Sequence, residues 1–142
     1  MSQVYYSDVK VGDELPPVEK LPTDELAMEF FTRVGEGKPT PERIPVPREG
    51  FSGIIVPGMM KVAWLGQFVS DWAGPEAFVR TVRVSYKRPD TTGSPLVLVG
   101  TIVDKREEEA GNLAEIEVAM VAEDRPSVVG MVQVLLPDKP AD

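Results

Sequence analysis

The sequence predicts an α+β fold in which a curved antiparallel sheet wraps around one long central helix. Two observations predict it. The stretch "PGMMKVAWLGQFVSDWAGP", near the middle of the chain, is apolar and has the length of a helix. The four segments that follow it are typical of strands, and the first alternates Val82, Val84 and Tyr86 with polar residues. The chain has 142 residues, so we expect residues 1–142 to form a single domain.

The first half of the chain should contain one short strand and one helix. The strand is expected at residues 18–21. The helix should begin after Thr23, a favourable N-cap residue, and end at Gly35. Helical spacing predicts that its apolar residues form one buried stripe, which consists of Leu26, Ala27, Phe30, Phe31 and Val34.

A proline-rich loop separates this helix from the central one. Residues 35–53 contain four prolines, which break both helix and central-strand hydrogen bonding. A loop of this length inside a compact domain is often functional. The central helix should have Pro57 in its first turn and Gly74 at its end, and its largely apolar circumference predicts that other structure surrounds it on most faces.

The strand segments cover residues 77–89, 96–107, 113–124 and 127–137, with turn residues between them. A single curved sheet leaves its edge strands open, and pairing of those edges across a two-fold axis is a common remedy. We therefore expect a dimer.

Composition excludes several classes of function. The net charge of -8 disfavours binding to nucleic acid and to anionic membranes. The absence of cysteine excludes disulfides, thiolate nucleophiles and iron–sulfur clusters. The chain also contains no histidine, so acid/base chemistry would fall to carboxylates, Lys or Tyr. With no recognisable signal peptide or membrane span, a cytoplasmic protein is expected.

Three stretches carry a resemblance to a known family. "YYSDVKVGDELPPVEK", "GFSGIIVPGMM" and "VSYKRPDTTGSPLVLVGTIVDKREEEAGN" resemble, in the correct order, the opening strand, the start of the central helix and the strand–turn–strand unit of the MaoC-like hydratases. These are hot-dog-fold proteins that act on acyl-CoA thioesters. The stretch "VSDWAGPEAFVR" looks closer still to the small MaoC-like subunits of actinobacterial steroid side-chain hydratases.

The resemblance also shows where this chain departs from the family. The family's catalytic Asp and His activate water and move a proton at the substrate alpha carbon. The histidine position falls on Thr40, and the aspartate position falls on Gly35 or Glu36. The family's His-Gly at the start of the central helix is Pro57-Gly58 here. The backbone N–H of Gly58 could still polarise a thioester carbonyl, since helix N-termini carry partial positive charge.

Three residues are candidates for catalysis. Glu36 could act as a general base if burial raised its pKa, but most such charges are solvated, which favours an exposed loop residue. Thr40 could hold a water molecule, but its hydroxyl cannot replace imidazole. Asp71 lies on the central helix and could serve as a base or nucleophile. It could also cap the helix end or pair with Arg80 or Arg83.

The candidate substrate-binding residues surround the start of the central helix. They are Gly58, Met59, Met60, Trp64 and Phe51. The flexible Met side chains suit an acyl chain, but ordinary core packing explains the same residues. Arg43, Arg48, Lys87 and Arg88 could bind CoA phosphates, or could be solvated surface residues.

The resemblance implies an acyl-CoA-binding subunit that lacks the catalytic dyad and pairs with a second, catalytic MaoC-like chain. A homodimer that works alone as a thioesterase or hydratase, using Glu36 or Asp71, is the alternative. A non-catalytic acyl-CoA-binding protein is a third. No cofactor is expected apart from coenzyme A in the thioester substrate, and no metal.

Overall fold

The computed structural model describes residues 2–34 and 53–141. A single turn of 3-10 helix at Tyr6–Asp8 precedes the regular elements. These are β1 (Val18–Lys20), α1 (Asp24–Val34), α2 (Gly58–Ala73), β2 (Phe78–Tyr86), β3 (Leu96–Glu108), β4 (Gly111–Ala122) and β5 (Arg125–Leu136). The short strand, the two helices and the four later strands therefore follow the predicted order.

Within the described residues, five strands form one antiparallel sheet in the order β1-β3-β4-β5-β2. One face of this sheet packs on α2. Its core residues, such as Leu98, Val118 and Val132, are almost fully buried together with Leu65 of the helix. The predicted α+β fold, a curved sheet around a central helix, is confirmed.

Helix α1 begins as the sequence predicts, because the hydroxyl oxygen of Thr23 accepts a hydrogen bond from the N–H of Leu26 at 3.0 Å. The predicted buried stripe is only partly correct. Ala27 is fully buried, but the side chain of Leu26 is 44% exposed. The Val34 side chain lies outside the described part of the chain. Phe30 and Phe31 are half-buried, so burial along the predicted stripe is uneven.

Helix α2 has a more mixed surface than its apolar sequence predicts. Met60, Leu65 and Phe68 are buried as expected, but Met59 is 65% exposed. Lys61, a charged residue in this apolar run, is buried. Pro57 is the N-cap rather than a first-turn residue. The expectation that other structure covers most faces of α2 is wrong for the face that carries Met59.

The β4–β5 hairpin is tighter than the sequence predicts. Glu123 and Asp124 both have positive φ values, 52° and 63°, which is the geometry of a two-residue type I′ turn. Strand β5 therefore begins at Arg125 instead of Ser127. Pro126 is accommodated because it sits where the β4–β5 register shifts.

Neither helix in residues 2–34 and 53–141 combines the length and hydropathy needed to cross a bilayer.

Candidate active site at the start of helix α2

Gly58 is the first residue of α2, so the backbone N–H groups of Gly58 and Met59 have no intrahelical acceptor, whereas the N–H of Met60 donates to the Pro57 carbonyl at 3.1 Å. The hydroxyl of Tyr86, the last residue of β2, donates a hydrogen bond to the Gly58 carbonyl at 2.8 Å. A Cβ atom on residue 58 would lie 3.1 Å from the Tyr86 ring. The aromatic ring therefore packs directly over the helix start, and only glycine fits beneath it without displacement.

One turn into the helix, Lys61 forms a buried ion pair with Asp90. The Nζ of Lys61 lies 3.0 Å from Oδ2 of Asp90, and the two side chains are 3% and 4% exposed. Sequence reasoning missed this pair, because Asp90 stands in what the sequence predicts as a simple turn after β2. The available signal was the position of Lys61, a charged residue among the apolar residues of the first turns of the helix.

The turn after β2, which contains Asp90 and Thr92, also pairs with residues 53–57, the segment that leads into α2. The N–H of Val56 donates to the Asp90 carbonyl at 2.8 Å, and the N–H of Thr92 donates to the Ile54 carbonyl at 2.8 Å. Gly53 begins this segment with φ +85°, and a Cβ there would lie 2.8 Å from the Thr92 carbonyl. Backbone pairing therefore fixes the position of the helix start relative to the sheet.

These groups border an open pocket of about 350 Å³ that Gly58, Lys61, Tyr86 and Lys87 help to line. Burial raises the pKa of Tyr86, so its hydroxyl is a protonated donor at neutral pH. The Nζ of Lys61 lies 5.7 Å from the centre of the Tyr86 ring. The pocket can thus offer backbone N–H groups and cationic side chains to an electronegative ligand atom.

Arg88, a candidate for phosphate binding, has a structural role. Its guanidinium donates hydrogen bonds to the carbonyls of Ala122 and Arg125 and so ties the end of β2 to the β4–β5 turn. Lys87 is exposed at the pocket rim. Among the described residues, no cluster of three or more Asp and Glu side chains has the arrangement of a metal site.

Asp71 lies near the other end of α2 and is exposed. With Phe68, Trp72 and Val18 it lines a groove of about 230 Å³. The expected ion pair with Arg80 is not formed, because the guanidinium of Arg80 instead contacts Glu108 at 3.1 Å. Within the described residues Asp71 forms no ion pair. The helix end is capped by the N–H of Gly74, which donates to the backbone carbonyl of Ser70 at 3.1 Å.

The remaining predicted site residues that the structure describes differ in burial and do not line one common surface. Met60 is buried and Met59 is exposed, so the two Met side chains do not share one surface. Trp64 is half-buried, with the Nζ of Lys20 at 5.9 Å from the centre of its ring. Three other candidates, Glu36, Thr40 and Phe51, lie outside the described residues.

Solved structures similar to this chain share its architecture over nearly the whole length. A MaoC-like dehydratase from Rhodospirillum rubrum superposes with a TM-score of 0.77 at 14% identity, covering 97% of this chain and 99% of that one. For the (R)-hydratase PhaJ1 from Pseudomonas aeruginosa the TM-score is 0.74 at 15% identity, over 96% and 88% of the two chains.

A third similar structure is the ChsH1-ChsH2 complex from Mycobacterium tuberculosis, with a TM-score of 0.68 at 13% identity over 89% of this chain and 98% of that one. No family model and no curated protein matches the sequence. At these identities the likeness establishes the fold. The fold that the sequence resemblance predicts is therefore confirmed, and the chain has the hot-dog fold of the MaoC-like dehydratases and (R)-hydratases.

Proposed function

We propose that this chain is the acyl-CoA-binding subunit of a MaoC-like enoyl-CoA hydratase and that it lacks the catalytic Asp/His dyad. The observation that carries the proposal is a MaoC-like hot-dog fold built from a sequence without a single histidine. An Asp/His dyad needs an imidazole to take and return a proton near neutral pH, and no other side chain has an unperturbed pKa there.

The start of α2 supports a role in binding. Gly58 begins a helix of 16 residues, whose dipole places partial positive charge at the exposed N–H groups. A thioester carbonyl oxygen at this position would gain hydrogen bonds without any change in protonation. The buried pair of Lys61 and Asp90 holds the helix start in place, which reduces the cost of ordering the site on binding.

We further propose that a second MaoC-like chain supplies the dyad, in the cytoplasm. One similar structure is a complex of two proteins. In the described sheet, the nine-residue strand β2 stands at an edge and pairs with β5 alone. Such an edge can add a strand from a partner, whether a second copy or a different chain.

The test compares the chain alone with the chain co-expressed with a histidine-bearing MaoC-like protein. Each preparation is incubated with short, long and steroid-like enoyl-CoAs, and products are identified by mass spectrometry. We expect unchanged substrate with the chain alone, a raised melting temperature with at least one acyl-CoA, and addition of one water when the partner is present. Hydration by the chain alone, or no thermal shift with any acyl-CoA, would contradict the proposal.

The groove beside Asp71 favours one other candidate function, a stand-alone thioesterase. A carboxylate next to apolar side chains such as Phe68 and Trp72 could act on a bound acyl thioester. Release of free CoA by the chain alone, abolished in Asp71→Asn with the fold intact, would support this function. Equal turnover in the wild type and this variant would exclude it.

A further inference from the structure

The sheet face that points away from α2, here called the outer face, has an apolar half. Side chains alternate between the two faces of a strand, so neighbours of the buried core residues point outward. Val99, Ala119, Val129 and Met131 do so and are half-buried. They border a depression of about 610 Å³ that spans β2 to β5.

The strand register places two opposite charges symmetrically in this depression. Met131 pairs with Arg83 on one side and with Glu117 on the other. The three residues therefore form one row across the sheet, with the charged residues about 10 Å apart, two strand spacings. Both charged side chains are exposed, and neither forms an ion pair with another described residue.

The other half of the outer face differs, because its charged side chains form ion pairs with one another within the chain. Arg106 binds the carboxylates of Asp104, Glu108 and Glu115, with distances of 2.9 Å to Glu108 and 3.1 Å to Glu115. Arg80 also contacts Glu108. This network covers one end of the face, whereas the apolar end keeps an unmatched cation and an unmatched anion among the described residues.

We propose that a second copy of this chain docks on the apolar half of the outer face. The two-fold axis would lie between the two sheets, above Met131 and parallel to β5. Rotation about it brings the β2 side of one copy over the β4 side of the other. Arg83 of each copy would then lie opposite Glu117 of its partner, and the apolar residues between them would be covered from both sides. Aligned packing of two twisted sheets about 10 Å apart is a common arrangement.

This association goes beyond the proposed function. The outer face lies on the opposite side of the sheet from α2 and is separate from the edge of β2. Docking through this face would double the mass of the unit that the chain otherwise forms, and it would leave the proposed acyl-CoA site at the start of α2 uncovered.

A charge exchange tests the pairing. The mass and dissociation constant of wild type, Arg83→Glu, Glu117→Arg and the double variant are measured by analytical ultracentrifugation. Each single variant places like charges opposite each other at both symmetry-related contacts, so we expect association about a hundredfold weaker and a halved mass at micromolar concentration. The double variant restores opposite charges, so its mass should return to the wild-type value.

Two controls separate loss of docking from loss of fold. Lys10→Glu and Glu76→Arg make the same charge changes at exposed positions outside the outer face, and they should leave the mass unchanged. Thermal unfolding should be cooperative in every variant. The proposal would be overturned if the wild type never had a larger mass than the single variants, and in that case a different partner would cover the face. It would also be overturned if the double variant stayed at half the wild-type mass.

Discussion

The two ends of helix α2 present polar groups in very different settings. At its start, the side chains of Lys61 and Asp90 are almost fully buried and directly paired. Near its end, about 15 Å from Lys61 by the rise of the helix, Asp71 is exposed and without an ion-pair partner among the described residues. A buried charge is tolerated only with a partner, whereas an exposed carboxylate needs none.

This difference shows which end of the helix is specialised. Backbone hydrogen bonds, the buried ion pair and the Tyr86 ring all restrict the start of α2. A site that must stabilise a developing charge needs groups fixed in advance, because reorganising them would cost part of the interaction. The start of α2 meets this requirement, and the Asp71 groove does not.

The largest effect is expected from breaking the buried ion pair. Asp90→Ala leaves the Lys61 ammonium buried without a counter-charge, which should lower the free energy of unfolding by about 3–5 kcal/mol. Urea denaturation at pH 7 measures this loss. It should exceed the effect of Asp71→Asn, which changes an exposed side chain.

A double-mutant cycle sharpens the result. Lys61→Met alone leaves the Asp90 carboxylate unpaired, but with Asp90→Asn in the same chain neither buried charge remains. The double variant should therefore be more stable than the sum of the two single effects predicts. Strict additivity would mean that the two side chains do not interact in solution.

A second, smaller change in stability is expected when Gly58 or Gly66 of α2 is replaced by alanine, and the sign should differ between the two positions. Gly58→Ala brings a methyl group 3.1 Å from the Tyr86 ring, whereas the Cβ in Gly66→Ala meets Val82 at an ordinary 3.8 Å. We expect Gly58→Ala to lose about 1–2 kcal/mol of stability and to weaken any acyl-CoA thermal shift. Gly66→Ala should gain up to about 1 kcal/mol, because alanine favours a helix interior. Equal effects would contradict the close packing over Gly58.

Much of the fold follows from the sequence for local reasons. Thr23 identifies the start of α1, and the alternation of Val82 and Val84 identifies β2, since capping and strand period depend only on neighbouring residues. The early start of β5 could not be foreseen, because positive φ values at Glu123 and Asp124 are uncommon for residues other than glycine.

The candidate site was less accessible to prediction than the fold. Gly58 is a candidate because the sequence resembles the MaoC-like hydratases there, and the structure has α2 begin at this residue, while its role in binding stays a prediction. The Lys61–Asp90 pair joins residues 29 positions apart, and only the packing of α2 against the turn after β2 brings them together. Met59 and Met60 are adjacent in sequence, but their opposite exposures depend on the rotation of the helix against the sheet.

A third prediction concerns the hydroxyl above the helix start. Tyr86→Phe removes the 2.8 Å hydrogen bond to the Gly58 carbonyl and should cost about 0.5–1 kcal/mol at pH 7. The pKa of Tyr86 is raised in the folded state, so the stability linked to its protonated form is complete below about pH 10 and is lost as the pH rises through the folded-state pKa. The difference between the wild type and the variant should therefore narrow above pH 10. A constant difference across this range would show that the hydroxyl does not make the bond.

The smallest effect is expected at the opposite end of α2. Asp71→Asn keeps the size of an exposed side chain and removes a charge that has no ion-pair partner among the described residues. Its stability should stay within about 0.5 kcal/mol of the wild type, as is usual for such surface changes. Its acyl-CoA thermal shift should also equal that of the wild type, with Ser70→Ala as a neighbouring exposed control. A clear loss of ligand stabilisation in Asp71→Asn alone would move the binding site to the groove beside Trp72, because only a direct contact gives an exposed carboxylate that influence.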